Sequence, residues 1–146
     1  MVIREVASEF EIERLLKTFD TNFTKSLEKR IPNLTDYATK LFNNSVNKVA
    51  VSENTVLGFI FFYCNDIVSR KAFISQFCIA DKCRRTGIGT FLLENVIDYC
   101  RKEKMSSIEL EVNKTNHVAR CFYEKHGFAV WQEIPTYDSL LMKKNI

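Results

Sequence analysis

Apolar residues recur along this chain with two periods, and the switches between them mark out seven strands and four helices. Val2, Arg4 and Val6 alternate with Ile3 and Glu5, which predicts a short first strand. Ser8 is placed to cap a helix, with Glu11 three residues on to complete a capping box. Ile12, Leu15, Leu16 and Phe19 then follow at helical spacing. Residues 20–31 are polar and mixed, anchored by Phe23 and Leu27. Pro32-Asn33 opens a second helical pattern in which Leu34, Tyr37, Ala38, Leu41 and Phe42 share a face, and Asn43-Asn44-Ser45 closes it with turn chemistry.

Three strands come next: Val46 to Ser52, the nearly continuous apolar run Val56 to Cys64, and Lys71 to Ala80, joined by turns at Glu53-Asn54-Thr55 and Asn65-Asp66. Continuous apolar runs predict strands covered on both faces. A helix after Gly87 places Ile88, Phe91, Leu92, Val96 and Cys100 opposite Glu94, Asn95, Asp98 and Arg101. Ser107 to Val112 alternates cleanly, with Glu109 and Glu111 on the face opposite Ile108, Leu110 and Val112. Asn116 is placed to cap a short helix whose inward residues read as Val118, Cys121 and Phe122, with Gly127 at its C-terminal cap. Phe128 to Gln132 and Leu140 to Lys143 close the chain as strands. Hairpin-linked strands followed by crossovers predict a mixed sheet in one α/β (α+β) domain spanning residues 1–146.

Composition narrows the function classes. Hydrophobic residues at 46% and charged residues at 27% describe a soluble globular protein, and most of the twelve Phe should be core. A net charge of +3 mildly favours anionic ligands but lacks the basic footprint of a nucleic-acid binder. Val56 to Cys64 is too short to cross a bilayer, and Met-Val-Ile-Arg-Glu-Val does not read as a signal peptide. Five cysteines without a CxxC pair read as free thiols, which makes a reducing cytoplasm the expected location. Two His and scattered Cys have no metal-ligand spacing.

The chemistry-bearing stretch is Arg84-Arg85-Thr86-Gly87-Ile88-Gly89, which lies between an apolar strand and a helix. Such a turn presents backbone N–H groups and a positive helix end to an anion such as a pyrophosphate. It is not a Walker A loop, and Leu92 stands where a dinucleotide fingerprint needs its third glycine. Arg84-x-x-Gly87-x-Gly89 resembles the acyl-CoA signature of the GCN5-related N-acetyltransferases. A second block, Asn116-x-x-Ala119-x-x-Phe122-Tyr123 ending in Gly127-Phe128, resembles that family's other motif. Together the blocks extend the resemblance from Ile74 to Phe128.

The resemblance implies a mostly antiparallel mixed sheet of about seven strands flanked by about four helices, with acetyl-CoA as acetyl donor and no metal. By the same analogy, the backbone of Arg84, Arg85, Thr86, Gly87, Ile88, Gly89 and Thr90 would cradle the pyrophosphate. The strand end at Cys78-Ile79-Ala80 would splay, pair with the pantetheine arm and polarise the thioester. Asn116 would contact the arm, and Tyr123 would protonate the departing thiolate. Three positions depart from the family habit: Asp81 where Pro is frequent, Cys83 where an aromatic is frequent, and Arg85 where Gly is frequent.

Amide formation from a thioester needs a neutral amine, a donor for the oxyanion and a proton for the sulfur. A tyrosine near ~10 and a thiol near ~8.5 would exchange that proton almost evenly. Glu109 and Glu111 are the candidates for the base, and Glu111 is nearer the splayed end. Both also read as an exposed sheet face, Tyr123 as packing, and His117 and His126 as helix-end residues.

The expected partner is a small-molecule primary amine. Ser26-Leu-Glu-Lys-Arg-Ile with Leu34-Thr-Asp-Tyr-Ala-Thr-Lys-Leu resembles a subgroup associated with bacterial surface-polysaccharide gene clusters, which implies an amino sugar or sugar nucleotide. Phe23, Lys25, Arg30 and Tyr37 are candidates to line the acceptor site. A protein or peptide acetyltransferase and a non-catalytic acyl-CoA-binding module are the alternatives, and the chain is expected to be a monomer or homodimer. No nucleic acid or membrane partner is expected.

Overall fold

The computed structural model describes residues 1–20 and 30–146. Its strands are β1 (Val2–Glu5), β2 (Val46–Ser52), β3 (Thr55–Asp66), β4 (Lys71–Ile79), β5 (Ser107–Asn113), β6 (Ala129–Ile134) and β7 (Ser139–Asn145). Its helices among the described residues are α1 (Glu9–Thr18), α2 (Leu34–Asn44), α3 (Ile88–Lys102) and α4 (His117–Lys125). The strands form one sheet in the order β1-β2-β3-β4-β5-β7-β6, and only the β4–β5 pair is parallel. This is the mixed sheet that the order of elements predicts, mostly antiparallel as the resemblance implies.

Local chemistry sets the element ends. The Ser8 hydroxyl accepts from the Glu11 N–H at 3.3 Å, as a capping box requires. The return arm differs: the Glu11 carboxylate takes the Ala7 N–H at 2.8 Å and both nitrogens of Arg4 at 2.9 and 2.8 Å. Asn33 caps α2 through the Asp36 N–H, and Asn116 caps α4 through the Ala119 N–H. Left-handed Glu53 and Asn54 close the β2–β3 hairpin.

Two cores lie on opposite faces of the sheet. α1 and α2 cover one face, where Ile12, Leu15, Leu16, Phe19, Ala38 and Leu41 pack on Val49, Phe59, Phe61 and Cys78. α3 and α4 cover the other, with Leu92, Leu93, Val96 and Cys100 set on Ile60, Phe62, Ile74, Ile108, Leu110 and Met142.

Three expectations need correction. The buried stripe of α3 is Leu92, Leu93, Val96, Ile97 and Cys100, and Phe91 is half exposed. On α4, Val118 and Cys121 face outward, while Ala119, Phe122 and Tyr123 pack inward. The reason is the rotation of α4: it packs the Phe122 ring on Gly89 and Phe77 and the Tyr123 ring on Phe77 and Phe128, which leaves Val118 and Cys121 on the outer face. The last two strands run further than their apolar cores suggest, to Ile134 and Asn145, because ladder hydrogen bonds continue past the hydrophobic residues.

Candidate active site

β4 and β5 pair over only four positions, from Lys71↔Ser107 to Ile74↔Leu110, although β4 continues to Ile79 and β5 to Asn113. The cause lies on the other side of β4. Between Ile74↔Phe62 and Gln76↔Phe61, Ser75 is an extra residue, and its hydroxyl bonds the Phe61 carbonyl at 3.2 Å. A bulge bends its strand and raises its twist, so β4 swings away from β5 at the residue after their last pair. Beyond the bulge β4 still follows β3, and the Ala80 N–H reaches the Leu57 carbonyl at 2.9 Å. Strand alternation then turns the backbone of Cys78 toward β3 and that of Phe77 and Ile79 toward the gap. Gly58 permits this approach, because a Cβ there would lie 2.7 Å from the Cys78 carbonyl.

The chain leaves β4 through a single 3-10 turn, Asp81–Cys83, and enters Arg84 to Gly87. The Thr86 hydroxyl donates to the Cys83 carbonyl. Arg85 and Gly87 are both left-handed, with φ of 63° and 89°, on either side of Thr86. Left-handed residues in such a turn make a concave nest of N–H groups suited to an anion. Gly87 is also the N-cap of α3 and makes no side-chain cap, so the first-turn donors at Ile88, Gly89 and Thr90 meet no capping oxygen from it. Nothing lies within 4 Å of a Cβ built on Gly87, so a ligand has room. The Arg85 conformation shows why Gly is frequent at this position: a side chain there costs roughly 1–2 kcal/mol. Arg84 points back to Asp81 at 3.4 Å, an exposed pair of little energetic weight.

α4 supplies the other wall. The Tyr123 ring packs between Phe77 and Phe128, with centroids at 6.3 and 5.7 Å, and Phe122 stands edge-on to Phe77 at 5.9 Å. Burial first, and then the neighbouring Cys78, raise the Tyr123 hydroxyl above the ordinary tyrosine value. Burial also pushes the Cys78 thiol up to about 12, against the opposing charges of Arg84 and Arg30. Burial thus makes Tyr123 a weaker acid than a tyrosine in water. Asn116 spends its carbonyl oxygen on the α4 cap, which leaves its amide N–H groups for a ligand.

Glu109 and Glu111 share a face but not an environment. Glu109 is buried and has Lys71 at 3.8 Å. Glu111 is exposed, makes no ion pair among the described residues, and stands one residue beyond the last β4–β5 pair, at the opening of the gap. Of the residues expected to line an acceptor site, Tyr37 accepts from the Gln76 amide at 3.0 Å, and Arg30 bears on Cys78. Phe23 and Lys25 lie outside the described residues. His117 is exposed at the start of α4. His126 stands 3.2 Å from the Thr90 hydroxyl and borders a groove of about 550 Å³ between α3 and the end of α4. No cluster of metal-ligating side chains occurs among the described residues.

The sequence reading missed three participants. Ser75 shapes the gap, but one polar residue in an apolar run carries no bulge signal. Gln76 reaches Tyr37 across 39 residues of chain, which no local pattern reveals. Trp131 is half exposed on β6, where alternation hinted at an outward position.

The acetyltransferase (GNAT) family model matches residues 10–128. The chain is 26% identical over 132 residues to a 5-NmdU N-acetyltransferase of Pseudomonas phage PaMx11, covering 89% of this chain and 88% of that one. A 72-residue stretch is 31% identical to GCN5-related N-acetyltransferase 6, chloroplastic, of Arabidopsis thaliana; it spans 49% of this chain but a quarter of that protein's length. Among solved structures, the PaiA N-acetyltransferase from Thermoplasma acidophilum, in complex with coenzyme A, superposes with a TM-score of 0.77. It is 21% identical, with all of both chains covered.

Proposed function

The chain belongs to the acetyltransferase (GNAT) family, and we propose that it moves an acetyl group from acetyl-CoA to a small-molecule primary amine, with an amino sugar or sugar nucleotide as the first class to try. Its enzyme class is that of an acetyl-CoA-dependent N-acetyltransferase. Support comes above all from one juxtaposition: a nest of backbone donors at an α3 start without a side-chain cap adjoins a gap in the sheet, and Tyr123 and Glu111 flank that gap.

The donor supplies the activated acetyl carbon. Arg84 to Thr90 hold its pyrophosphate by backbone N–H groups, and the Asn116 amide holds its arm. The β4 backbone that faces the gap beyond the Ser75 bulge polarises the thioester carbonyl as an oxyanion donor does. Glu111 takes a proton from the incoming ammonium, directly or through one water. Glu109 is less suited, because Lys71 already engages it. Tyr123 returns a proton to the departing sulfur.

The PaMx11 relative is named for one defined acceptor, 5-NmdU, which favours a discrete small amine over a protein. The test is thiol release from acetyl-CoA with sugar-nucleotide amines, amino sugars, amino acids, polyamines and peptides in parallel. Turnover with an amino sugar or sugar-nucleotide amine supports the reading. Turnover with peptides alone transfers it to a protein acetyltransferase, and tight coenzyme A binding without any turnover reduces it to an acyl-CoA-binding module.

A further inference from the structure

Beside the gap, the α1–α2 side of the sheet carries residues that lie outside both cores of the described residues. On β5, β7 and β6 it presents Glu109, Glu111, Leu141, Lys143 and Trp131, and none of these belongs to either core. Trp131 is the only Trp of the chain and is 50% exposed. It occupies the β6 bulge between Val130 and Gln132, and the Lys143 ammonium lies 5.8 Å from its ring centre. An exposed ring held beside a cation is an unusual use of surface in a strand otherwise free of large aromatics.

Charge on this face is ordered. Glu111 lies opposite Leu141, and Lys143 is two residues further along β7, on the same face. The two residue positions are diagonal neighbours, with backbones about 7–8 Å apart. Glu109, opposite Lys143, is shared with Lys71, so at this level two lysines face one carboxylate. The backbone of β6 lies two strands, or about 10 Å, from that of β5. Glu111, Lys143 and Trp131 thus stand side by side across three neighbouring strands, on one face.

Resting on the acetyl-transfer reading above, we propose that Trp131 and Lys143 form the acceptor platform. They select amines borne on a ring that also carries a phosphate or carboxylate. Trp131 supplies the stacking surface, Lys143 the anion contact and Glu111 the contact to the reacting ammonium. Spermidine, an acyclic polycation, lacks both the ring and the anion.

The single Trp makes the test direct. Tryptophan fluorescence is titrated with glucosamine 6-phosphate, glucosamine and spermidine in the presence of coenzyme A. The expected result is a saturable change with glucosamine 6-phosphate, a weaker one with glucosamine and none with spermidine. In kinetics, Trp131→Ala should raise KM for glucosamine 6-phosphate tenfold or more, and Trp131→Phe should restore most of it. Lys143→Met should erase the preference for the phosphorylated sugar, and KM for acetyl-CoA should stay within twofold in all variants. A silent tryptophan, or relative KM values unchanged by Trp131→Ala, overturns the proposal. So does a dimer that dissociates on Trp131→Ala with unaltered kinetics, because the ring then belongs to an interface between copies. If wild-type enzyme acetylates none of the three while fluorescence follows the expected order, the platform stands and the acetyl-transfer reading fails. Acetylation with a silent tryptophan gives the reverse.

Discussion

The α1–α2 side of this one sheet is used in two ways. Over β2, β3 and β4 it is a sealed core, where Phe59 and Phe61 stack at 4.7 Å and both are fully buried beneath α1 and α2. Over β5, β7 and β6 it carries Glu109, Glu111, Leu141, Lys143 and Trp131, outside either core. The boundary is the gap opened by the Ser75 bulge. Burial by α1 and α2 stabilises one half, and the other lies outside both cores of the described residues. Tyr123 and Glu111, the proposed acid and base, stand at the border.

The sharpest division is thermodynamic. Phe61→Ala should lower stability by about 3–5 kcal/mol, read from urea unfolding, whereas Leu141→Ala on the open half should cost under about 1 kcal/mol. Comparable losses would mean that the open half is packed against something in solution.

At the border, Tyr123→Phe should reduce kcat at least about 100-fold and leave KM for acetyl-CoA within about twofold. Unchanged turnover removes Tyr123 from the chemistry and leaves it a packing residue among Phe77, Phe122 and Phe128.

A smaller contrast separates the two carboxylates. Glu111→Gln should lower kcat roughly 10- to 100-fold. Glu109→Gln should act mainly on stability, through its Lys71 pair. The reverse pattern would move the base to Glu109 and place the reacting amine deeper on β5.

The mildest test concerns the covered half alone. The Arg4 hydrogen bonds, with help from the Ala7 N–H and from Arg4 and Arg14 charges, lower the Glu11 pKa, although burial opposes this. A carboxylate lowered on folding stabilises the fold fully above its ordinary value of 4.5 and loses that contribution as pH falls through the lowered value. Glu11→Gln should therefore cost about 1–2 kcal/mol at pH 7 in thermal unfolding, a difference that shrinks in acid. The acetyl-CoA KM of the variant should not move.

Much of this was legible locally. The turn from Arg84 to Gly89 needs left-handed backbone and close approach, and glycine spacing reports both. Asn116 and Gly127 mark the ends of α4 because capping is decided within four residues. The same locality explains the errors. Val118 and Cys121 look inward by hydrophobicity, but the rotation of α4 packs the Phe122 ring on Gly89 and Phe77. Glu109 and Glu111 are indistinguishable in an alternating strand, and only the point where β4 leaves β5 gives them different neighbours.

By itself the sequence determined the elements, their order, the glycine turn and the placement of Tyr123 on the helix beside it, since periodicity, caps and glycines act over a few residues. Tertiary structure alone decided where the sheet opens, which carboxylate remains free, how far the Tyr123 hydroxyl is shifted and that Trp131 shares a face with Glu111. Those properties depend on distances between strands far apart in the chain, and a bulge or a burial gradient leaves no period to read.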